Sequence, residues 1–389
     1  MQQITITSIL GGQAESFYLG GKGSFNSSIA VDPDQPTSSG NIKSSGSLIP
    51  VGYSKFSSTG LTGYPKWIVT NPKNTLTYVY DSAGNLISYT SGLTGESVIS
   101  TIANATGNGM VYYNDYIYVF RNTDVDRYGL LSGTPSLTSG VWTGATLGSQ
   151  TALANTTYPT LRGCAMPNHP AIVHGDGALY FLDYVGGQGV VHKILTTVGG
   201  TNNGSAYNVL DLPFGYYPTC LASYGNDLVI GAIQTSSDVA VIQGKAAIFF
   251  WDTTNASFYR MTQLQDPIVS ALLNTNGTFY IFSGNTVGGV RVSKYLGGDV
   301  LSQITFQNEG FPPFAGAVEG IGNKIMWGGF VEYPEKAAIV SSYGSVNNLP
   351  MGLQCIARAT STGANQNVTA IKSVQQAGNL VIGWGDSAV

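Results

Sequence analysis

Charge is scarce in this chain. Only 10% of its 389 residues are Asp, Glu, Lys or Arg, against about a quarter in ordinary soluble domains. With 17 basic and 21 acidic side chains the net charge is −4, so no basic stripe exists to neutralise a phosphate backbone or an anionic bilayer. Neither nucleic acid nor a membrane is an expected partner. Weak self-repulsion favours association, which suits a subunit packed among copies of itself. Cysteine is nearly absent: Cys164, Cys220 and Cys355 lie far apart with no C-x-x-C pair. That spacing excludes a zinc ribbon or a disulfide framework and leaves buried thiols as the plain reading. Apolar residues never run on long enough to span a bilayer, and the opening MQQITITSIL has neither a basic n-region nor an apolar h-region, arguing against a membrane span and a signal peptide.

What is abundant is Gly (51 residues), Tyr (23), Ser, Thr and Asn, arranged in one pattern that returns seven times. An apolar run, a tight Gly/Asn/Asp turn and a second apolar run appear as WIVTNPKNTLTYVY, MVYYNDYIYVF, AIVHGDGALYFL, CLASYGNDLVIGA, VSALLNTNGTFYIF, AVEGIGNKIMWGG and IKSVQQAGNLVIGW. The first apolar residue after each turn (Leu76, Tyr116, Leu179, Leu228, Phe279, Ile325, Leu380) recurs at a mean spacing of about 51 residues, the period of a propeller blade. Third and fourth strands follow most of these hairpins, as in KAAIFFWD with SFYRMTQL and KAAIVSSYG with QCIARAT. Prolines 65, 170, 218, 267 and 313 precede first strands, where a fixed φ costs no central ladder bond.

The pattern predicts one all-β domain over residues 1–389, a seven-bladed β-propeller. Its last copy stops after two strands, so an edge would stay open. The N-terminal segment 1–60 offers strands to complete that blade in QQITITSI, NSSIAVDP and PVGYSKFS. Six blades plus an N-terminal appendage is the alternative. Residues 124–157, rich in Gly, Ser and Thr, read as a long loop insertion in the second blade.

Chemistry is harder to find. His169, His174 and His192 fall in the third repeat without carboxylates at a metal-ligand spacing, so hydrogen-bonded structural roles are expected and no metal or cofactor is. Asp124 and Asp126 in NTDVDRYG resemble half a calcium loop but lack its glycine and distal glutamate; a loop cap with Arg127 fits better. Glu319 is the one clear acid on a first strand, and a lone carboxylate cannot serve as both acid and nucleophile of a glycosidase. No G-x-S-x-G elbow or phosphate loop occurs. Tyr112, Tyr113, Tyr116, Tyr118, Tyr216, Tyr217, Trp251, Trp327 and Trp384 could stack on sugars, though alternating strand aromatics ordinarily pack blades.

The chain lacks the WD array, the kelch glycine pairs and the sialidase box. In the opening ITITSILGGQAESFYLGGKGSFNSSIAVDPDQP, the segment NDYIYVFRNTDVDRYG and its Ser/Thr/Gly/Asn-rich composition, it resembles virus and bacteriophage virion propellers of the tail nozzle or tail-tip type. The resemblance is one of style over the whole chain and assigns no residue a role. It implies a non-enzymatic structural subunit, located in a virion or other extracellular assembly, whose partners are copies of itself and neighbouring assembly proteins. A carbohydrate- or receptor-binding propeller, taking a host surface glycan, is the alternative.

Overall fold

The computed structural model describes residues 31–32, 47–48, 60–73, 76–90, 95–103, 105, 107–142, 147–148, 169–196, 206–235, 242–285, 289–307, 312–321, 324–331, 337–344, 354–360, 366–374 and 379–386. A short antiparallel pair, β1 (Val31–Asp32) with β2 (Ser47–Leu48), comes first. Six four-stranded meanders follow. The first blade holds β3 (Pro65–Thr70), β4 (Thr77–Asp81), β5 (Asn85–Tyr89) and β6 (Glu96–Thr101), and the second β7 (Met110–Tyr113), β8 (Tyr116–Phe120), β9 (Val125–Gly129) and β10 (Ser136–Thr138). The third holds β11 (Ala171–Val173), β12 (Leu179–Val185), β13 (Gln188–Ile194) and β14 (Ala206–Asp211), and the fourth β15 (Tyr216–Tyr224), β16 (Asp227–Gln234), β17 (Ala247–Trp251) and β18 (Arg260–Gln263). In the fifth are β19 (Ile268–Thr275), β20 (Thr278–Gly284), β21 (Val290–Gly297) and β22 (Val300–Gln307), and in the sixth β23 (Val318–Ile321), β24 (Lys324–Val331), β25 (Ala337–Gly344) and β26 (Gln354–Thr360). A hairpin of β27 (Gln366–Val374) and β28 (Asn379–Asp386) ends the chain.

The middle strands explain the continuous apolar runs. YIYVF of β8 and AIFFW of β17 are buried at every position, because a blade's centre is covered on both faces by its neighbours. Successive blades meet in apolar clusters: Tyr78 and Leu86 with Ile117 and Val119, Phe120 with Phe181, Tyr180 with Trp251, Phe250 with Ile281, and Phe282 with Trp327. Each such fully buried large side chain contributes roughly 1.5–3 kcal/mol. The terminal hairpin fills the gap between the sixth and first blades: Val340 packs on Val368 and Ile371, and Ile68, Val79 and Ile87 pack with Ala370 and Val381. The ring closes there.

The first strands share a device. Register shifts fall between Pro65 and Trp67, Pro218 and Cys220, Val269 and Ala271, and Val368 and Ala370. These bulges turn one residue inward in four sheets: Lys66, Thr219, Ser270 and Thr369, all buried. Thr219 Oγ1 donates to the carbonyl of Val269 in the next blade at 2.6 Å.

Seven full blades are therefore corrected to six, as in the alternative reading. All seven hairpins are present, but among the described residues the last has no third or fourth strand. Most of segment 1–60, offered as its completion, lies outside the described residues. The supposed loop 124–157 is also corrected in part: its first half holds the strands β9 and β10, and Trp142 and Leu147 are buried against Phe181. Its alternating VDRYG was hidden among Gly, Ser and Thr.

Candidate functional site

Turns between first and second strands gather on one face, where polar side chains join successive blades. Lys73 Nζ lies 3.4 Å from Asp115 Oδ1, joining blades one and two. Asn114 Nδ2 donates to the Thr196 carbonyl at 2.6 Å, and Tyr113 OH to that of Gly177 at 2.8 Å. Between blades three and four, His174 Nε2–H donates to the Asn226 carbonyl (3.1 Å), which leaves Nδ1 to accept from Ser223 Oγ (2.9 Å). Asn274 Nδ2 reaches the Ser223 carbonyl from blade five at 2.8 Å. Glu319 on β23 takes Lys372 Nζ of β27 at 3.1 Å and Ser373 Oγ at 2.7 Å. These polar side chains are spent on joining blades.

Outside this collar, the connections between third and fourth strands of blades three, four and five and the strand ends beside them expose apolar side chains in succession: Leu195, then Tyr259 and Met261, then Leu296 and Val300. Leu296, Val300 and Tyr259 are each more than half exposed, at 56%, 56% and 55%. The arc is braced by side-chain hydrogen bonds. Tyr259 OH donates to Asp227 Oδ2 at 2.6 Å, Arg260 Nη1 to Tyr295 OH at 2.9 Å, and Thr262 Oγ1 to Asp299 Oδ1 at 3.0 Å. Burial foremost, then the hydrogen bond to Asp227, pushes the Tyr259 phenol up to about 12, so it stays a neutral donor. Large apolar groups held rigidly in water are the raw material of a contact surface.

Two of the three histidines are core groups. His192 Nδ1 accepts the Asn208 N–H at 3.1 Å, which fixes its proton on Nε2, and Nε2–H donates to Asp183 Oδ2 at 3.1 Å. His169 Nδ1 donates to the Leu182 carbonyl at 3.1 Å and lies 3.5 Å from Asp183 Oδ1. Burial holds the His169 imidazole below its usual range, against the opposing pull of Asp183. Asp183 also accepts the N–H groups of Gly148 and Tyr184. With Phe120, Phe181 and Trp142 around it, this cluster fastens the 148 segment to the third blade. Among the described residues no group of three His, Cys, Asp or Glu could hold a metal.

Asp124 and Asp126 are capped by Arg121, at 3.0 Å each, and Arg127 instead lies over the Tyr116 ring at 4.6 Å; Arg121 was missed because the turn that brings it back is visible only in the fold. Tyr113, Tyr116, Tyr118, Tyr217, Trp251 and Trp327 are buried between blades, which removes them as sugar platforms. The side chain of Trp384, together with Cys164 and the Cys355 side chain, lies outside the described residues. Nothing in the sequence pointed to the exposed arc, since exposure depends on how neighbouring blades meet.

The architecture is that of a β-propeller, and solved structures of that class are similar to it. The Dos1 propeller matches with a TM-score of 0.52 at 12% identity, over 83% of this chain and 90% of that one. The propeller domain of Cps50 (Swd1) from Myceliophteria thermophila matches with a TM-score of 0.49 at 10% identity, over 83% and 96%. At such identities the likeness is one of fold. No protein family matches the chain, and no curated protein does. These matches bear neither way on the likeness of style to virion propellers. The virion or extracellular localisation expected with it is corrected to no assigned location, since the match to the Dos1 propeller is a likeness of fold alone.

Proposed function

We propose that this chain is a non-enzymatic propeller that works through protein–protein contacts, associating with copies of itself by the arc at blades three to five. The observation that carries this reading is the succession Leu195, Tyr259, Met261, Leu296 and Val300, exposed on three consecutive blades. Charge scarcity supports a second copy as partner: Arg260, Asp227 and Asp299 are already engaged within the molecule, so two arcs meet without strong repulsion. A hydroxyl–imidazole pair on the turn face, Ser223 with His174, has a backbone carbonyl where a triad has a carboxylate, and it ties two blades.

Sedimentation velocity over a wide concentration range tests the proposal. Wild-type protein is expected to self-associate, and Met261→Asp with Leu296→Asp to remain monomeric with unchanged thermal stability. Association that survives both substitutions overturns the choice of surface. A monomer at all concentrations that hydrolyses an ester or glycan, with turnover lost in Ser223→Ala, overturns the whole reading.

A further inference from the structure

The second strands of the six blades are paired along both edges, but among the described residues β28 is paired only with β27. An eight-residue strand with one edge unpaired leaves half its backbone donors and acceptors without ladder partners. The same chain holds an antiparallel two-stranded unit, β1–β2, that joins no blade among the described residues. We propose that β1–β2 docks on the outer edge of β28 and supplies the third and fourth strands of that sector.

The route of the chain carries the inference. Residue 60 leads into β3, the innermost strand of the first blade, yet Gly60 itself lies out at the rim. Its N–H donates to Glu96 Oε1 on β6, and a Cβ placed on it would meet Val98 of β6 and Ile87 of β5. Gly60 thus stands at the radial level of third and fourth strands. Leu61, the next residue, stands on the side that faces the hairpin, in the same cluster as Ile87, Ala370 and Val381. A strand pair docked beyond β28 would stand next to this position. From Leu48 to Gly60 the chain can reach about 3.3 Å per residue, ample to bring β2 down from that sector. A two-stranded antiparallel unit also leaves edges of its own that need a partner.

Hydrogen exchange on the full chain, resolved by residue along β28, tests this. Wild-type amides from Leu380 to Gly385 are expected to be protected at every position, whereas a free edge would leave alternate amides exchanging about 100-fold faster. Val31→Pro in β1 and Leu48→Pro in β2 each remove a ladder donor and are expected to release that protection, while Ser39→Pro in the connecting segment leaves it intact. Loss that spreads around the ring in the first two variants, with Ser39→Pro still silent, has the same meaning. Alternate fast amides in wild type overturn the proposal, as does protection indifferent to both prolines. Protection that disappears on dilution also overturns it, by assigning the edge to a second copy.

Discussion

Lys66 occupies a bulge position that Thr219, Ser270 and Thr369 fill in other sheets, and it is the only one of the four that must carry or shed a charge. Burial lowers its ammonium from the usual 10.5 to about 8. Between those values the unfolded chain still holds a proton that the folded protein has released, so stability rises with pH across this window and is lowest below about 8. The full effect is roughly 3 kcal/mol. Lys66→Met, which keeps the stem, is expected to raise stability at pH 7 and abolish the rise, as read by urea denaturation from pH 7 to 10.5. His169 acts in the same sense lower down: its imidazole stays neutral after the unfolded one has begun to protonate near 6.5, so stability falls further as pH drops below that value. Cys220 is the opposite case, a thiol that burial pushes up to about 12. A thiol reagent at pH 8 should label it only after unfolding; labelling at the free-thiol rate in the native protein would contradict its burial. Gly277 has φ +72 with open space around it, so Gly277→Val introduces strain without a clash and should cost about 1–3 kcal/mol, measured by thermal melting.

Among the elements, the third blade depends most on one side chain. Asp183 accepts from His192, Gly148 and Tyr184 with His169 alongside, so Asp183→Ala strands several buried donors and should destabilise by about 3 kcal/mol or more. Asp183→Asn, which keeps an acceptor, should cost less; equal losses in chemical denaturation would show that the carboxylate geometry is immaterial. The hairpins were legible in the sequence because each joins a local turn to apolar runs, and Gly84, Gly177, Gly225 and Gly277 have the positive φ their places demanded. β9 and β10 were not legible: VDRYG and SLT are short, polar and flanked by Gly and Ser, and they become strands by pairing with β8 and with each other. The partner of Asp126 was misread for a related reason. Arg127 is its neighbour in sequence, but alternation along β9 sends that side chain the other way, and Arg121 returns across the turn. The exposed arc is relational and has no local sequence mark.

For the molecule as a whole, the hairpin β27–β28 is the keystone, since among the described residues it packs between the sixth blade and the first. Deleting residues 366–386 should leave Ile68, Val79, Val340 and Phe314 against water and abolish the cooperative thermal transition; a sharp transition near the wild-type temperature would show that six blades close without it. The position of this joint has a mechanical consequence. Leu61 and Val381, near the two ends of the ring-forming chain, meet in one cluster, so a load applied between residues 60 and 386 would bear on this seam before any other. Such a load would peel the hairpin away while the remaining blades stayed stacked. A partner attached through both chain ends would therefore act as a clasp on the ring, and one attached to only one end would leave the seam unloaded.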